Sequence, residues 1–166
     1  MPERLIVIDT QSLLDWLVFQ DPACRLWDQV LRPSGSCLER VPTSSSAAER
    51  PPVRWTWIAT AAMKSEFDHV LARGLPARRP GPPDAVASAW SSAVTLVEMP
   101  PAPAVQLRCS DPDDQKFIDL AMTRGSCHLV TRDKALLKLA RRAAERRGVR
   151  VCTPSAWNDD RVANSR

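Results

Sequence analysis

Four acids in this chain, Asp9, Glu66, Asp114 and Asp133, stand at the ends of apolar segments or on the apolar side of a helix. Carboxylates brought to one site repel one another and lose hydration. An unpaired buried charge then neutralises or finds a partner. A hard divalent cation is the natural shared partner, because Mg2+ and Mn2+ take oxygen ligands and Mg2+ keeps several waters. Arginine could offset the same charges structurally. Each acid also has a plainer reading. Asp is a favoured helix N-cap, stabilised by the helix dipole by roughly 0.3–1 kcal/mol. Glu66, in mid-helix, can be a carboxylate at the edge of an apolar stripe, reaching for water or an arginine.

Helical register separates the acids. Residues i, i+3, i+4 and i+7 share a face. From Asp114 these are Phe117, Ile118 and Ala121, and from Asp133 they are Leu136, Leu137 and Ala140. Both acids head apolar, core-facing stripes. Glu66 shares its side with Ala62, Met63 and Val70. Asp119 sits among Gln115, Lys116 and Thr123, a solvated face, and is expected to pair weakly with Lys116. Asp111 before Pro112 fits an N-cap with Pro in the first helical position. Asp113, beside Lys116 and Phe117, borders the site.

The elements that must position these residues follow from hydropathy. "RLIVID" (4–9), "CHLVT" (127–131) and "VRVCT" (149–153) are continuous apolar runs, which suit strands buried on both faces. Helices are expected over "TQSLLDWLVFQD", "PACRLWDQVL", "ATAAMKSEFDHVLARG", "DAVASAWSSAV", the segment from Asp114 to Gly125, and "DKALLKLARRAAERRG". "RWTWIAT" and "TLVEM" read as extended. Strands alternating with helices predict an α/β domain of three layers, α/β/α, around a mainly parallel sheet. In such sheets, sites form outside the carboxyl ends of the strands, where Asp9 and Asp133 stand. One domain over residues 1–157 is expected, with a long loop at 32–54 and a frayed tail at 158–166.

Size and composition exclude much else. At 166 residues the chain can bury a core. It has no apolar run of about 18 residues, so no membrane-spanning helix is expected. "MPERLIVIDT" lacks the apolar stretch and cleavage site of a signal peptide, and a cytoplasmic location is expected. Five scattered cysteines form no CxxC, and His69 and His128 sit in no zinc spacing. With four lysines, 19 of the 23 basic residues are arginine, and the net charge of +4 permits a polyanionic partner. Phosphate-binding glycine motifs and GxSxG are missing. The DxD of aspartate-nucleophile phosphatases fails at Gln11.

In pattern, the chain resembles the PIN-domain ribonucleases, a family that includes toxins of bacterial toxin–antitoxin pairs. "LIVIDTQSLL" resembles the family's first strand and acid, Asp9; "MKSEFDHVLAR" resembles the helix with the second acid, Glu66. "DPDDQKFIDLAM" and "CHLVTRDKALL" resemble the blocks of the third and fourth acids, Asp114 and Asp133, and "VRVCTPSAW" the last strand with its Thr-Pro exit. Together the blocks span Leu5 to Trp157. Two departures stand out. Gln11 replaces the usual Asn two residues after the first acid, and 57 residues separate Asp9 from Glu66.

The resemblance implies metal-dependent hydrolysis of single-stranded RNA, with Mg2+ or Mn2+ held by Asp9, Asp114, Asp133 and Glu66. Thr10, Gln11, Ser65 and Thr131 would support those acids by hydrogen bonds, and Asp113, placed at the border by helical register, would contact the metal or a water. Arg132, Lys138 and Arg142 would meet the RNA backbone, and Trp55 and Trp57 would either stack bases or pack in the core. It also implies a small antitoxin partner and a homodimer. The alternative is a PIN-like module that binds RNA or protein without cutting.

Overall fold

The computed structural model of the chain describes residues 3–31, 54–74, 83–99, 101–102 and 105–163. Residues 32–53 of the loop expected at 32–54 and residues 76–82 of the "PARRPGPP" connection lie outside them, whereas Arg54 opens a strand and Pro83 a helix.

Five parallel strands form one sheet: β1 (Glu3–Ile8), β2 (Arg54–Ala59), β3 (Val94–Leu96), β4 (His128–Val130) and β5 (Arg150–Cys152), in the order β3-β2-β1-β4-β5. The helices are α1 (Thr10–Leu17), α2 (Arg25–Leu31), α3 (Ala61–Ala72), α4 (Pro83–Ala93), α5 (Gln115–Arg124), α6 (Lys134–Leu137), α7 (Ala140–Arg147) and α8 (Pro154–Ala163), with a 3-10 turn at Pro22–Cys24. Ile6, Val7 and Ile8 are successive in β1 and at most 1% exposed. Neighbouring strand residues point to opposite faces, so both faces of the sheet are covered. This is the α/β architecture expected, and it is consistent with a PIN-like fold.

β1 lies beside β4, with Ile8 paired to Val130. Connections leave β1 towards β2 and β3 on one side, and reach β4 and β5 on the other. β1 and β4 therefore flank the point where the strand order reverses, and in such sheets a crevice lies outside the carboxyl ends at that point. Asp9 follows the last residue of β1; Thr131 to Asp133 follow the last residue of β4.

All six tryptophans join one chain of ring contacts. Trp57 meets Trp16 at 5.7 Å and Trp90 at 4.6 Å. Trp27 links Trp16 to Trp157, and Trp157 meets Trp55 at 5.1 Å. Trp55 and Trp57 are two apart in β2 and share one face, under α1, α2, α4 and α8. The structure thus places both in the core and corrects the stacking alternative: Trp57 is 1% exposed. Replacing Trp57 by Ala is expected to cost about 3–5 kcal/mol in a denaturant unfolding experiment, the range for emptying an aromatic core site. A solvent-facing stacking platform would show almost no loss.

Other expectations change in detail. The single helix expected after Asp133 is two, because the chain turns at Lys138 and Leu139. Its buried side is Leu136, Leu139 and Ala143, not Leu136, Leu137 and Ala140. Gly148, in the left-handed conformation at φ 64°, ends α7. Of the frayed tail expected at 158–166, residues 158–163 form the second half of α8 and the rest lies outside the described residues; Asn158 Nδ2 donates to the Ala23 carbonyl at 2.6 Å. Among the described residues, Cys24, Cys109, Cys127 and Cys152 are in no disulfide.

Candidate functional site

Asp9 caps α1. Its Oδ1 accepts the backbone N–H of Ser12 at 2.7 Å, and its Oδ2 accepts the Thr131 hydroxyl. At 3% exposure this carboxyl is buried, and burial raises its pKa above the ordinary aspartate value. Thr131 is itself fully buried, and its oxygen accepts the backbone N–H of Asp133 at 2.9 Å. One hydroxyl therefore fastens the exit of β4 to the exit of β1.

Asp133 caps α6, accepting from Ala135 N at 2.6 Å and Leu136 N at 3.1 Å through the same oxygen, Oδ1. For Asp9 and Asp133 the capping reading is physically true. It does not exhaust them, because the bonds come from neutral amides and a hydroxyl, and among the described residues neither acid is in an ion pair.

Asp114 differs. It occupies the N-cap position of α5 and makes no side-chain cap bond. Below it Phe117, Ile118 and Ala121 are all fully buried, as the register predicted. Its carboxyl is half-buried and its pKa is pushed up to about 6. Burial is the main cause, followed by the charges of Asp133, Asp111 and Asp9; Lys116 pulls the other way. Asp114 thus feels the charges of two of the other three acids, Asp133 and Asp9.

Glu66 reaches the same crevice from α3. That helix buries Met63 and Phe67, four apart; Ala62 is exposed and Val70 half-buried, so Glu66 borders the buried side. Its Oε1 accepts the Thr10 hydroxyl at 2.5 Å, and its Oε2 pairs with Lys116 Nζ. The Lys116 pairing was expected with Asp119 and is corrected here: Asp119 is half-buried and accepts from Gln115 Nε2 at 2.8 Å. Sequence spacing favoured Asp119, three positions from Lys116, over Glu66, which lies 50 residues away.

The supporting residues divide. Thr10 and Thr131 bond the acids as described. Gln11 is exposed and donates its amide to Asp15 Oδ1 at 3.1 Å. Ser65 is also exposed; it lies on the outer side of α3, in a groove it shares with Lys64, Asp68, His69 and Leu96. Neither side chain is placed on an acid of the site. Asp113 is exposed, and its backbone N–H donates to Asp111 Oδ1 at 3.0 Å. Asp111 therefore caps a tight turn ahead of α5, not the helix itself.

Arg132 is held by two acids, Asp15 at 2.7 Å and Asp21 at 2.8 Å, which clamps the loop between Thr131 and Asp133 onto α1. Lys138 and Arg142 are exposed, and the nearby Arg141 pairs with Glu145.

Among the described residues, no three or more His, Cys, Asp or Glu side chains are drawn into a cage for a metal. An all-protein cage is what calcium sites build; Mg2+ keeps several waters and is typically held by one or two carboxylates plus substrate phosphate. Asp114, uncapped and repelled by Asp133, with the free oxygen of Asp133 beside it in charge range, is the donor chemistry such an ion takes.

A family model described as PIN domain matches residues 46–135, which is 90 of the 166 residues. The matched span contains Glu66, Asp114 and Asp133, and Asp9 precedes it. No curated protein matches the chain.

Proposed function

The chain belongs to the PIN-domain family, and from that premise we propose that it is a metal-dependent endoribonuclease cutting single-stranded RNA at the crevice beyond β1 and β4. PIN domains are generally nucleases. The observation that carries the finer reading is Asp114: a half-buried acid with no cap bond, whose pKa is pushed up to about 6 by burial first and then by the charges of neighbouring aspartates. Perturbed acids of this kind cluster at functional sites.

Asp114 and Asp133 would hold Mg2+ or Mn2+, with Asp9 adding its charge to the site. Such an ion, when bound, lowers the pKa of a water and offsets charge developing on phosphate oxygens. The chain's own residues supply the order. Thr131 fixes Asp9 relative to the Asp133 backbone. Thr10 fixes Glu66, which would orient the attacking water. Asp113, exposed at the rim, would face the incoming strand. Lys138 and Arg142 would meet the RNA backbone, while Arg132, spent on Asp15 and Asp21, positions its loop instead.

We place the protein in the cytoplasm as the toxin of a toxin–antitoxin pair, acting as a homodimer. A short reading frame for the antitoxin beside its gene and a dimer in light scattering would support that setting. One observation favours the alternative of a non-cutting RNA- or protein-binding module: the amide of Gln11 is turned to Asp15.

Incubating single-stranded RNA with the pure protein separates the two. Cleavage is expected with Mg2+ or Mn2+, none with EDTA, and a drop of at least about a hundredfold in Asp9→Asn. RNA left intact under every metal condition would favour the binding module. Cleavage undiminished in Asp9→Asn would point to a contaminant.

A further inference from the structure

Lys116 is gripped from three directions. Its ammonium pairs with Glu66 Oε2, contacts the Asp113 carbonyl, and lies 4.9 Å from the centre of the Phe117 ring. The side chains of this pair are only 18% and 31% exposed. Most surface ion pairs are loose and worth little, whereas this one is held by α5 on one side and α3 on the other.

It is also singular. Among the described residues, Lys116 is the only cation in ion-pair contact with any of the four acids of the site. The bonds to Asp9 and Asp133 come from neutral amides and a hydroxyl. Among the described residues, Glu66 alone of the four acids has a full counter-charge, and both its oxygens are occupied.

We propose that Lys116 is a positioning residue that withholds Glu66 from the divalent ion, dividing the crevice into a half neutralised by the protein and a half, Asp114 with Asp133, left open to the ion. This rests on the reading of the crevice as a metal site. Glu66, so withheld, stays in place to accept from Thr10 and to face the water. Without Lys116 the crevice gains one net negative charge and a free carboxylate, and both attract a divalent ion.

Mn2+ binding to the purified full chain, followed by electron paramagnetic resonance without RNA, tests this. Lys116→Met should bind Mn2+ about tenfold tighter, because an ammonium a few ångströms away no longer repels the ion through a partly buried medium. Lys116→Arg, which keeps the charge, should stay near wild type. The double variant Lys116→Met with Glu66→Gln restores the net charge and should lose the gain. Melting curves establish that each variant folds, with Lys116→Gln in reserve for Lys116→Met.

A Lys116→Met protein that binds no tighter, or a gain that survives in the double variant, overturns the proposal, as does a wild type that binds no Mn2+. If the affinities move as expected and RNA is still left uncut, the nuclease reading fails and the role of Lys116 stands.

Discussion

Asp114→Asn should abolish RNA cleavage and, in metal-free buffer above pH 6, make the protein more stable. The two effects share a cause. Asp114 is the acid that gains least from the protein: it caps nothing, it is half-buried, and Asp133, Asp111 and Asp9 repel it. An unfolded chain releases this proton near pH 3.8 and the folded chain near pH 6. The folded state therefore binds the proton more tightly. The stability this contributes is fully present below about pH 4 and lost as pH rises to about 6.

At face value the displacement is worth roughly 3 kcal/mol. Solvent screening of a half-buried group reduces that to about 1–2 kcal/mol. Asn escapes this loss, so at pH 8 with EDTA its melting temperature should exceed that of wild type by about 2–6 °C. Adding Mn2+ should stabilise wild type and leave the variant unmoved, because a ligand stabilises only the state that binds it. A variant less stable than wild type without metal would mean that Asp114 serves the fold instead. Cleavage should fall at least about a hundredfold, since losing a ligand does more than losing the residue that orients one.

The second large effect is at Asp9, where Ala and Asn should part company. Asp9→Ala removes the N-cap of α1, worth about 0.5–2 kcal/mol. It also strands the buried Thr131 hydroxyl, at about 1–3 kcal/mol. Asp9→Asn keeps the shape and an acceptor for Ser12, and the Thr131 hydroxyl can rotate to accept from the amide. Both variants lose the buried charge, so the difference between them isolates the hydrogen bonds. Asp9→Ala should be the less stable by about 2–4 kcal/mol in urea unfolding at neutral pH, with cleavage lost in both. Equal stabilities would mean that Thr131 does not tie the two strand ends together.

Much of this site was legible because it is local. The continuous apolar runs of β1, β4 and β5 declare strands buried on both faces, and an acid just beyond a strand end is visible by position alone. The stripe of Phe117, Ile118 and Ala121 places Asp114 by periodicity, and all three are buried as expected. What could not be read depends on contacts distant in sequence. Lys116 had an acid three positions away in Asp119 and another 50 away in Glu66, and only the packing of α5 against α3 decides between them. Arg132 looked like a free cation beside the fourth acid, until α1 and the 3-10 turn brought Asp15 and Asp21 to it.

Local detail also failed where two patterns fit. Leu136, Leu137 and Ala140 form as good a stripe on paper as Leu136, Leu139 and Ala143, and the turn at Lys138 selects the second. Ser65 and Gln11 lie close in sequence to Glu66 and Asp9, yet neighbours on a helix point about 100° apart: Ser65 lines the outer groove of α3 and the Gln11 amide is turned to Asp15. The order β3-β2-β1-β4-β5 leaves no trace in hydropathy, but it is this order that sets Asp9, which precedes the family match, beside Asp133, which lies within it.

The most direct test of the central claim is a crystal of the protein grown or soaked in Mn2+, with anomalous diffraction recorded at the manganese edge. The account predicts a peak in the crevice beyond β1 and β4, with the carboxylates of Asp114 and Asp133 as its protein ligands and Lys116 still on Glu66. A protein that cleaves RNA in Mn2+ but shows its only peak away from Asp114 and Asp133 would contradict it.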